Sequence, residues 1–349
     1  MGKGKSKVWY WLGGIGIIII LAAGSIGLYL RSWIYSPSLV NTPEEKVYFY
    51  IPTGSDYESV LYDLDTLGWL KNVQAFDWVA QKKGYPDMVK PGRYELLRNI
   101  SNDSLINLLR SGKQAEVELV FNTMRTFEYL AQVISSQLEA DSSSLIELFR
   151  DTSGMEAFGF SPDSWFGMFI PNTYRFFWNT SAEQFVKRMK VEYDNFWKGA
   201  RDDRRKEINL SRNEVMALAA IVQSETFKVD EMPRVAGAYM NRIRKGMRLQ
   251  ADPTVIFALK QPGIRRVLRK HLKVDSPYNT YKYAGLPPGP IRIPSLQAID
   301  ASLNYEKHKY IYFCAKEDFS GYHSFATRYT EHLRNARRYQ RALNKRNIY

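Results

Sequence analysis

The sequence has 349 residues, of which 45% are hydrophobic and 24% charged, the balance of a globular protein with room for two ordinary domains. Its 49 Lys and Arg against 36 Asp and Glu give a formal net charge of +13, which favours nucleic acid, anionic lipid or an acidic polymer as a partner. No zinc-finger spacing and no aromatic ribonucleoprotein motif accompanies this charge, and the single cysteine, Cys314, excludes an intrachain disulfide.

The first predicted element is a membrane-spanning helix at residues 8–30. These 23 residues carry no charge, and at about 1.5 Å per residue they would span roughly 35 Å. Three lysines precede the helix within the tail 1–7, and only Arg31 follows it closely. The positive-inside rule therefore predicts a cytoplasmic amino terminus, with the rest of the chain outside. A cleaved signal peptide is the alternative, although its apolar region would be shorter and would end at an A-x-A site.

A small α+β module is predicted at residues 46–121, after a linker at 31–45. The stretches "KVYFYIP" and "AEVELVF" alternate apolar and polar residues, which is typical of half-buried strands. Ser55 with Glu58 predicts a capping box that opens one helix, and Ser101 opens another.

A larger, mixed α+β domain is predicted at 122–349, with a helical insert at about 126–209. A loop, "FGMFIPNTYRF", interrupts that insert, and "MRLQADPTVIF" reads as a turn further on. The segment "SPYNTYKYAGLPPGPIRIP" has five prolines and two glycines in 19 residues, which predicts a stiff loop that could form the wall of a ligand site. "KYIYFCA" is predicted as a buried strand.

One glutamate stands out in the predicted helix "LAAIVQSETF". With Leu218 placed at 0° on a helical wheel, Glu225 falls at about 340°, within the apolar stripe and away from Gln223 and Ser224. Burial and the negative end of the helix dipole would both raise the pKa of this carboxyl, as a general acid requires. The structural alternative is a buried glutamate held by an arginine or by backbone donors.

A second glutamate of the same helix has a local explanation. Glu214 falls at about 320° on the same wheel, also near the apolar stripe. It lies three residues after Ser211, however, and the two form a capping box at the start of the helix. Glu225 is therefore the carboxyl that local structure does not explain.

Four motifs carry a family resemblance: "AAIVQSET", "YMNRIRKGMRLQADPTVIFAL", "SPYNTYKYAGLPPGPI" and "GYHSFATRYTEH". In this order they resemble the MltG (YceG-like) family of endolytic murein transglycosylases, over most of the chain. The resemblance implies a bacterial inner-membrane protein with an α+β fold, a LysM-like subdomain at 46–121 and a periplasmic or extracytoplasmic catalytic domain. It also implies that Glu225, in the "ET" pair, is the catalytic residue. Phe166 and Asn172 depart from the family, whose members commonly have acidic residues there.

The family's chemistry needs only one carboxyl. It first protonates the glycosidic oxygen and then accepts a proton from the sugar's own 6-hydroxyl, which gives a 1,6-anhydromuramic end. We assign Glu225 to both roles. The candidates for binding the glycan or supporting Glu225 are Gln250, Asp252, Tyr278, Asn279, Thr280 and His323.

Several of these assignments have structural alternatives. Asp252, which precedes a proline, could be a turn residue as well as a second carboxyl. His323 could be a satisfied interior histidine, and Asn241 and Arg242 could be purely structural. A non-catalytic peptidoglycan-binding scaffold is the competing function.

The expected partners follow from the anchor and the substrate. They are peptidoglycan glycan strands, the membrane and cell-wall synthases working near it, whereas export argues against nucleic acid. The sequence has no HExxH motif and no Cys/His cluster, so neither a metal nor a cofactor is expected.

Overall fold

A computed structural model describes residues 5–261, 263–264 and 267–346. Within them the chain forms two compact units: one runs to Val117 and includes Arg175–Thr180, and the other comprises Glu118–Tyr174 and the residues from Ser181 onward. The elements confirm the predicted α+β class.

Fourteen helices and six strands are found in the described residues. The helices are α1 Lys5–Tyr35, α2 Tyr57–Thr66, α3 Val73–Lys82, α4 Asn102–Ser111, α5 Phe127–Ser135, α6 Ser142–Arg150, α7 Thr152–Ala157, α8 Ala182–Phe196, α9 Ala200–Glu207, α10 Arg212–Glu225, α11 Met232–Arg244, α12 Asp252–Leu259, α13 Leu296–Leu303 and α14 Tyr329–Lys345. The strands are β1 Lys46–Ile51, β2 Gly92–Leu97, β3 Glu116–Phe121, β4 Asn172–Phe177, β5 Tyr312–Ala315 and β6 His323–Ala326. They pair as β1–β2, β3–β4 and β5–β6.

The apolar helix α1 is longer than predicted. It continues to Tyr35, and its segment Tyr10–Tyr35 has a mean hydropathy of 2.1 with none of it buried within the protein. At about 1.5 Å per residue this segment is long enough to cross a bilayer. Residues 1–4 of the predicted cytoplasmic tail lie outside the described residues.

The first unit is built on the antiparallel pair β1–β2. In this pair Lys46 lies opposite Leu97 and Ile51 opposite Gly92. Buried and exposed residues alternate along β1, and Val47, Phe49 and Ile51 face inward. This apolar face packs against the buried sides of α2, α3 and α4, which gives the unit its own core.

The residues predicted as a linker pack against this unit. Leu39 is fully buried and bridges to the backbone of Leu70. The Asn102 side-chain amide donates a 2.8 Å hydrogen bond to the Trp33 carbonyl and accepts one from the Ser38 hydroxyl. The end of α1 is thus fixed to the module that follows.

The predicted cap of α2 is wrong by one residue. Asp56 is the N-cap, and its side chain accepts a 2.9 Å hydrogen bond from the Ser59 amide. Asp caps a helix as well as Ser does, so Ser55 lies too early and Glu58 is simply exposed in the first turn. The predicted cap at Ser101 is confirmed.

Helix α10 is the centre of the second unit. Its residues from Val215 to Gln223 are all buried, and α9, α11, α12 and α13 pack around it. The predicted polar face is therefore wrong. Gln223 is 7% exposed, and its side-chain oxygen accepts a 3.2 Å hydrogen bond from the Ser295 amide. The Ser211–Glu214 capping box is confirmed, with both hydrogen bonds formed.

Two segments that were predicted as irregular are regular. The second half of "FGMFIPNTYRF" is strand β4, and "DPTVIFAL" is helix α12, because a proline fits the first turn of a helix as well as it fits a turn. Strand β5 is only partly buried, and helices α13 and α14 were not predicted.

The stiff loop at 276–294 has no helix or strand, as predicted. A Cβ added at Gly289 would lie 1.8 Å from the Asp163 carbonyl oxygen, so the loop backbone packs directly against that segment and requires glycine there.

Candidate active site

A cavity of about 240 Å³ opens at the carboxyl end of α10, within the second unit. Its polar lining is Glu225, Tyr239, Arg242, Gln250, Asp252, Tyr281 and His323, and the rest is Leu249, Phe313, Cys314 and Ala315. Glu225 is the last residue of α10, followed by the C-cap Thr226. Its carboxyl therefore lies where the helix ends and the cavity begins.

Glu225 is held by a tyrosine. The Tyr239 hydroxyl, on α11, donates a 2.6 Å hydrogen bond to Glu225 Oε1. Burial raises the pKa of Glu225 above its ordinary value, and the negative charge of Asp252 acts in the same direction. The Tyr239 hydrogen bond and the neighbouring His323 and Arg242 oppose this rise without cancelling it. The carboxyl is thus poised to keep its proton at a higher pH than a free glutamate.

Tyr239 itself stays protonated. Burial, followed by the charge of Glu225, raises the pKa of this phenol well above its ordinary value. Its hydroxyl therefore remains a donor to Glu225 in either protonation state of the carboxyl.

Asp252 has a similar arrangement at the start of α12. The Tyr281 hydroxyl donates a 2.6 Å hydrogen bond to Asp252 Oδ1. Burial and the charge of Asp252 raise the pKa of Tyr281, so this phenol is also a permanent donor. Each of the two cavity carboxyls thus receives a hydrogen bond from a neutral tyrosine.

Arg242 organises the backbone around the cavity. Its buried guanidinium donates to the carbonyl oxygens of Ile311 and Leu249, both at 2.6 Å, and at 3.4 Å to the side chain of Gln250. Gln250 has a φ of 53°, a left-handed conformation that is costly for a residue other than glycine. The arginine therefore holds a strained turn at the cavity wall.

His323 is oriented by a buried carboxylate. Glu231, only 4% exposed, accepts a 2.8 Å hydrogen bond from the His323 amide and contacts His323 Nδ1 at 2.7 Å. A carboxylate acceptor fixes the ring proton on Nδ1, so Nε2 is the nitrogen left for another partner.

The structure brings together four of the seven predicted site residues: Glu225, Gln250, Asp252 and His323 all line the cavity. The other three do not line it. Thr280 is buried and shares a 2.8 Å hydrogen bond with Thr254, while Asn279 donates to backbone carbonyls, one of them that of Val274 at 2.7 Å.

Tyr278 also points elsewhere, since its hydroxyl donates a 3.0 Å hydrogen bond to Asp163. These three side chains form hydrogen bonds inside the stiff loop or against neighbouring segments, because a buried polar group without a partner is costly. In the structure they hold the loop that presents Tyr281, and their part in binding the glycan or supporting Glu225 stays a prediction.

Other residues of the site were missed. Tyr239, within α11, lines the cavity, and Glu231, just before that helix, holds His323; no motif spacing or cap pattern in the sequence singled out either of them. Tyr281 stood within a quoted motif, and its neighbours were chosen instead. Arg242 was left open as structural, and Asn241 is structural, since its amide donates to the carbonyls of His308 and Tyr310.

The two departures from the family motif also have clear positions. Phe166 is buried with its ring 4.6 Å from that of Phe127, so it belongs to the aromatic core. Asn172 is exposed at the start of β4, where its side chain accepts a hydrogen bond from the Thr173 amide. Neither residue lines the cavity.

Within the described part of the chain, no group of three or more His, Cys, Asp or Glu side chains is placed to hold a metal ion.

Comparisons with known proteins agree with one another. A match to the YceG-like family covers residues 49–338. An endolytic murein transglycosylase of Bacillus subtilis is 27% identical over 307 residues, which are 82% of this chain and 84% of that protein. Another of that name, from Streptococcus pneumoniae serotype 2, is 28% identical over 335 residues. The match covers 86% of this chain but only 60% of the streptococcal protein.

A solved structure is also similar. The crystal structure of a YceG-like protein from Listeria monocytogenes matches with a TM-score of 0.55 and 28% sequence identity. The match covers 83% of this chain and 98% of the listerial one.

Proposed function

Because this chain belongs to the YceG-like family, we propose that it is a membrane-anchored endolytic murein lytic transglycosylase. It cleaves the bond between N-acetylmuramic acid and N-acetylglucosamine in nascent peptidoglycan and leaves 1,6-anhydromuramic ends. The names of the bacillary and streptococcal relatives support the reaction class. The observation that carries the proposal is the placement of Glu225, whose raised pKa and open cavity suit a general acid.

In the first step Glu225 is the acid. The Tyr239 hydroxyl already donates a hydrogen bond to Glu225 Oε1. Glu225 Oε2 therefore carries the proton that is transferred to the glycosidic oxygen. The bond from the muramic anomeric carbon to that oxygen breaks, and the sugar gains oxocarbenium character. The negative charge of Asp252 stabilises this positive sugar.

In the second step Glu225 is the base. Its carboxylate, stabilised by the Tyr239 hydroxyl, accepts the proton of the muramic 6-hydroxyl. The 6-oxygen then bonds to the anomeric carbon and closes the anhydro ring. Glu225 is protonated again, the leaving sugar carries the first proton on its 4-hydroxyl, and no water is consumed.

Asp252 makes ordinary hydrolysis the competing chemistry, because glycosidases commonly use two carboxyls. It lines the same cavity as Glu225 and could activate a water or attack the sugar. The hydrolytic reaction would put one solvent oxygen on each new reducing end, whereas the lytic reaction takes up none.

The experiment follows from this difference. Full-length protein in detergent is incubated with purified glycan strands in water labelled with heavy oxygen. The masses of the products are then measured by mass spectrometry. We expect ends one water lighter than hydrolysed ends, without heavy oxygen, and none with the Glu225→Gln variant. Heavy oxygen in the products would refute the lytic reaction and make Asp252 catalytic. Binding without any cleavage would identify a peptidoglycan-binding scaffold instead.

The proposal includes a position in the cell. Helix α1 crosses the bacterial inner (cytoplasmic) membrane once, with its amino terminus in the cytoplasm, and the second unit lies in the periplasmic or extracytoplasmic space. Glycan strands growing at the membrane would then reach the cavity, and the cell-wall synthases that make them become partners. The LysM-like nature of residues 46–121 stays a prediction.

A further inference from the structure

A second cavity, of about 500 Å³, adjoins the first. The two share Glu225, Ala315 and His323, so the second opens from the same carboxyl in another direction. Its wall is formed by residues 226–228 after α10, the turn between β5 and β6, and Tyr339 of α14. An enzyme that cuts inside a chain must bind sugars on both sides of the broken bond, and continuous cavities around the acid provide the space.

Aromatic side chains dominate one side of the second cavity. Phe227, two residues after Glu225, is 79% exposed, although a large apolar side chain is normally covered. Phe319 also lines the cavity, with its ring 5.9 Å from that of Tyr339. Rings of this kind offer flat apolar faces, which match the apolar face of a pyranose.

Among the described residues that line this cavity, Lys228 is the cation without a carboxylate partner. The Lys228 ammonium lies 5.0 Å from the centre of the Tyr322 ring, and among the described residues no carboxylate pairs with it. Lys316, the other lysine in the wall, lies 3.7 Å from a carboxylate oxygen of Asp318. Lys228 is therefore the positive charge available to a bound ligand.

The position of Lys228 is constrained by its neighbours. The Tyr322 ring below it is fixed by a 3.0 Å hydrogen bond from the Tyr322 hydroxyl to Asp230. A Cβ added at Gly321 would lie 3.2 Å from Lys228 Cε, so the turn passes close along the lysine stem. Asp230 is thus engaged with a phenol, and the ammonium is presented to the cavity.

We propose that the second cavity binds a peptide-bearing sugar next to the bond that is cleaved. The Lys228 ammonium pairs with a carboxylate of the peptide, and Phe227 packs against the sugar ring. In such a sugar the lactyl carboxyl is already an amide, so the carboxylate must come from the peptide. This inference rests on the proposed function, because the cavity adjoins the carboxyl assigned to catalysis.

The test compares two forms of one ligand. Full-length protein carrying Glu225→Gln, which we expect not to turn the ligand over, is titrated with peptide-bearing glycan fragments. A second titration uses the same fragments after their carboxylates have been converted to methylamides. We expect about fivefold tighter binding of the charged form, a typical effect of one partly exposed ion pair. Lys228→Met in the same background should abolish this difference.

Lys245→Met is the matched control, because Lys245 is exposed at the end of α11 and lines neither cavity. It should keep the full discrimination. Equal affinity of the parent for both ligands, or discrimination that survives Lys228→Met, would overturn the inference. Cleavage is measured in a separate assay, with protein in which Glu225 is intact. Discrimination without cleavage would therefore refute the proposed reaction and leave the binding site intact.

Discussion

The hydrogen bond from Tyr239 to Glu225 makes a specific prediction about pH. Tyr239→Phe removes the hydroxyl that donates to Oε1 at 2.6 Å and leaves the buried ring in place. A hydrogen bond to a charged group contributes about 1.5–3 kcal/mol. The bond favours the carboxylate over the protonated acid, so its loss raises the pKa of Glu225 further.

The assay is the pH dependence of glycan cleavage. The acid must be protonated when the reaction starts, so the rate falls as pH rises through the pKa of Glu225. In Tyr239→Phe this falling limb should move to higher pH. The maximum rate should fall by about tenfold or more, because the carboxylate formed during the reaction has lost its donor. A limb that stays in place or moves to lower pH would refute the assigned role of Tyr239.

Tyr278→Phe is the matched control. Its hydroxyl also donates to a carboxylate, that of Asp163 at 3.0 Å, but outside the cavity. The same chemical deletion there should leave the pH profile unchanged. A shifted profile in this variant would instead restore Tyr278 to the substrate-binding role predicted from the sequence.

Glu225→Gln should lower cleavage by about 10²–10⁴-fold. In urea titrations it should be at least as stable as the parent, and its advantage should grow as pH rises from the unfolded towards the raised folded pKa, because over this range Glu225 ionises in the parent's unfolded chain but keeps its proton in the folded state. Glu214→Gln should keep most activity, since Gln still closes the capping box; loss without destabilisation would mean that the wrong glutamate was chosen. Glu231→Gln should lower kcat about tenfold with little change in KM, because the ring of His323 loses a charged acceptor. Glu231→Ala should lower kcat further. A loss of stability with unchanged kcat would contradict this role of Glu231. A reporter fused after Arg31 should be active only if it functions outside the cytoplasm.

The sequence was most informative where the chemistry is local. The capping boxes depend on residues three apart, and the Ser211 cap was found for that reason. Glu225 was also singled out, and its catalytic role stays a prediction, but one premise was wrong: Gln223, placed on the polar face, is buried as well. What distinguishes Glu225 in the structure is its position at the helix end beside a cavity. A helical wheel cannot show a cavity, because the wheel describes only the helix itself.

Contacts between segments that are far apart in the sequence could not be predicted from local sequence patterns. The stiff loop was expected to form a wall of a ligand site, and its Tyr281 lines the cavity, but the sequence did not show which of its polar side chains point inward. Asn279 and Thr280 are buried, whereas Tyr281 reaches Asp252. These positions are adjacent in sequence and differ only in backbone direction. Glu231 was likewise invisible, because its partner His323 lies 92 residues away.

The choice of donors explains how this cavity keeps an acid. A salt bridge to an arginine would orient Glu225 equally well, but it would lower the pKa and leave the carboxyl ionised at neutral pH. Arg242, the buried arginine that lines the cavity, instead donates to carbonyl oxygens of the surrounding backbone. Orientation of Glu225 is left to Tyr239, a neutral donor whose own pKa is raised well above its ordinary value. Such a donor fixes the position of the carboxyl with a smaller loss of basicity than a full positive charge would cause. In the proposed mechanism, such a carboxyl can give up its proton and recover it within one catalytic cycle.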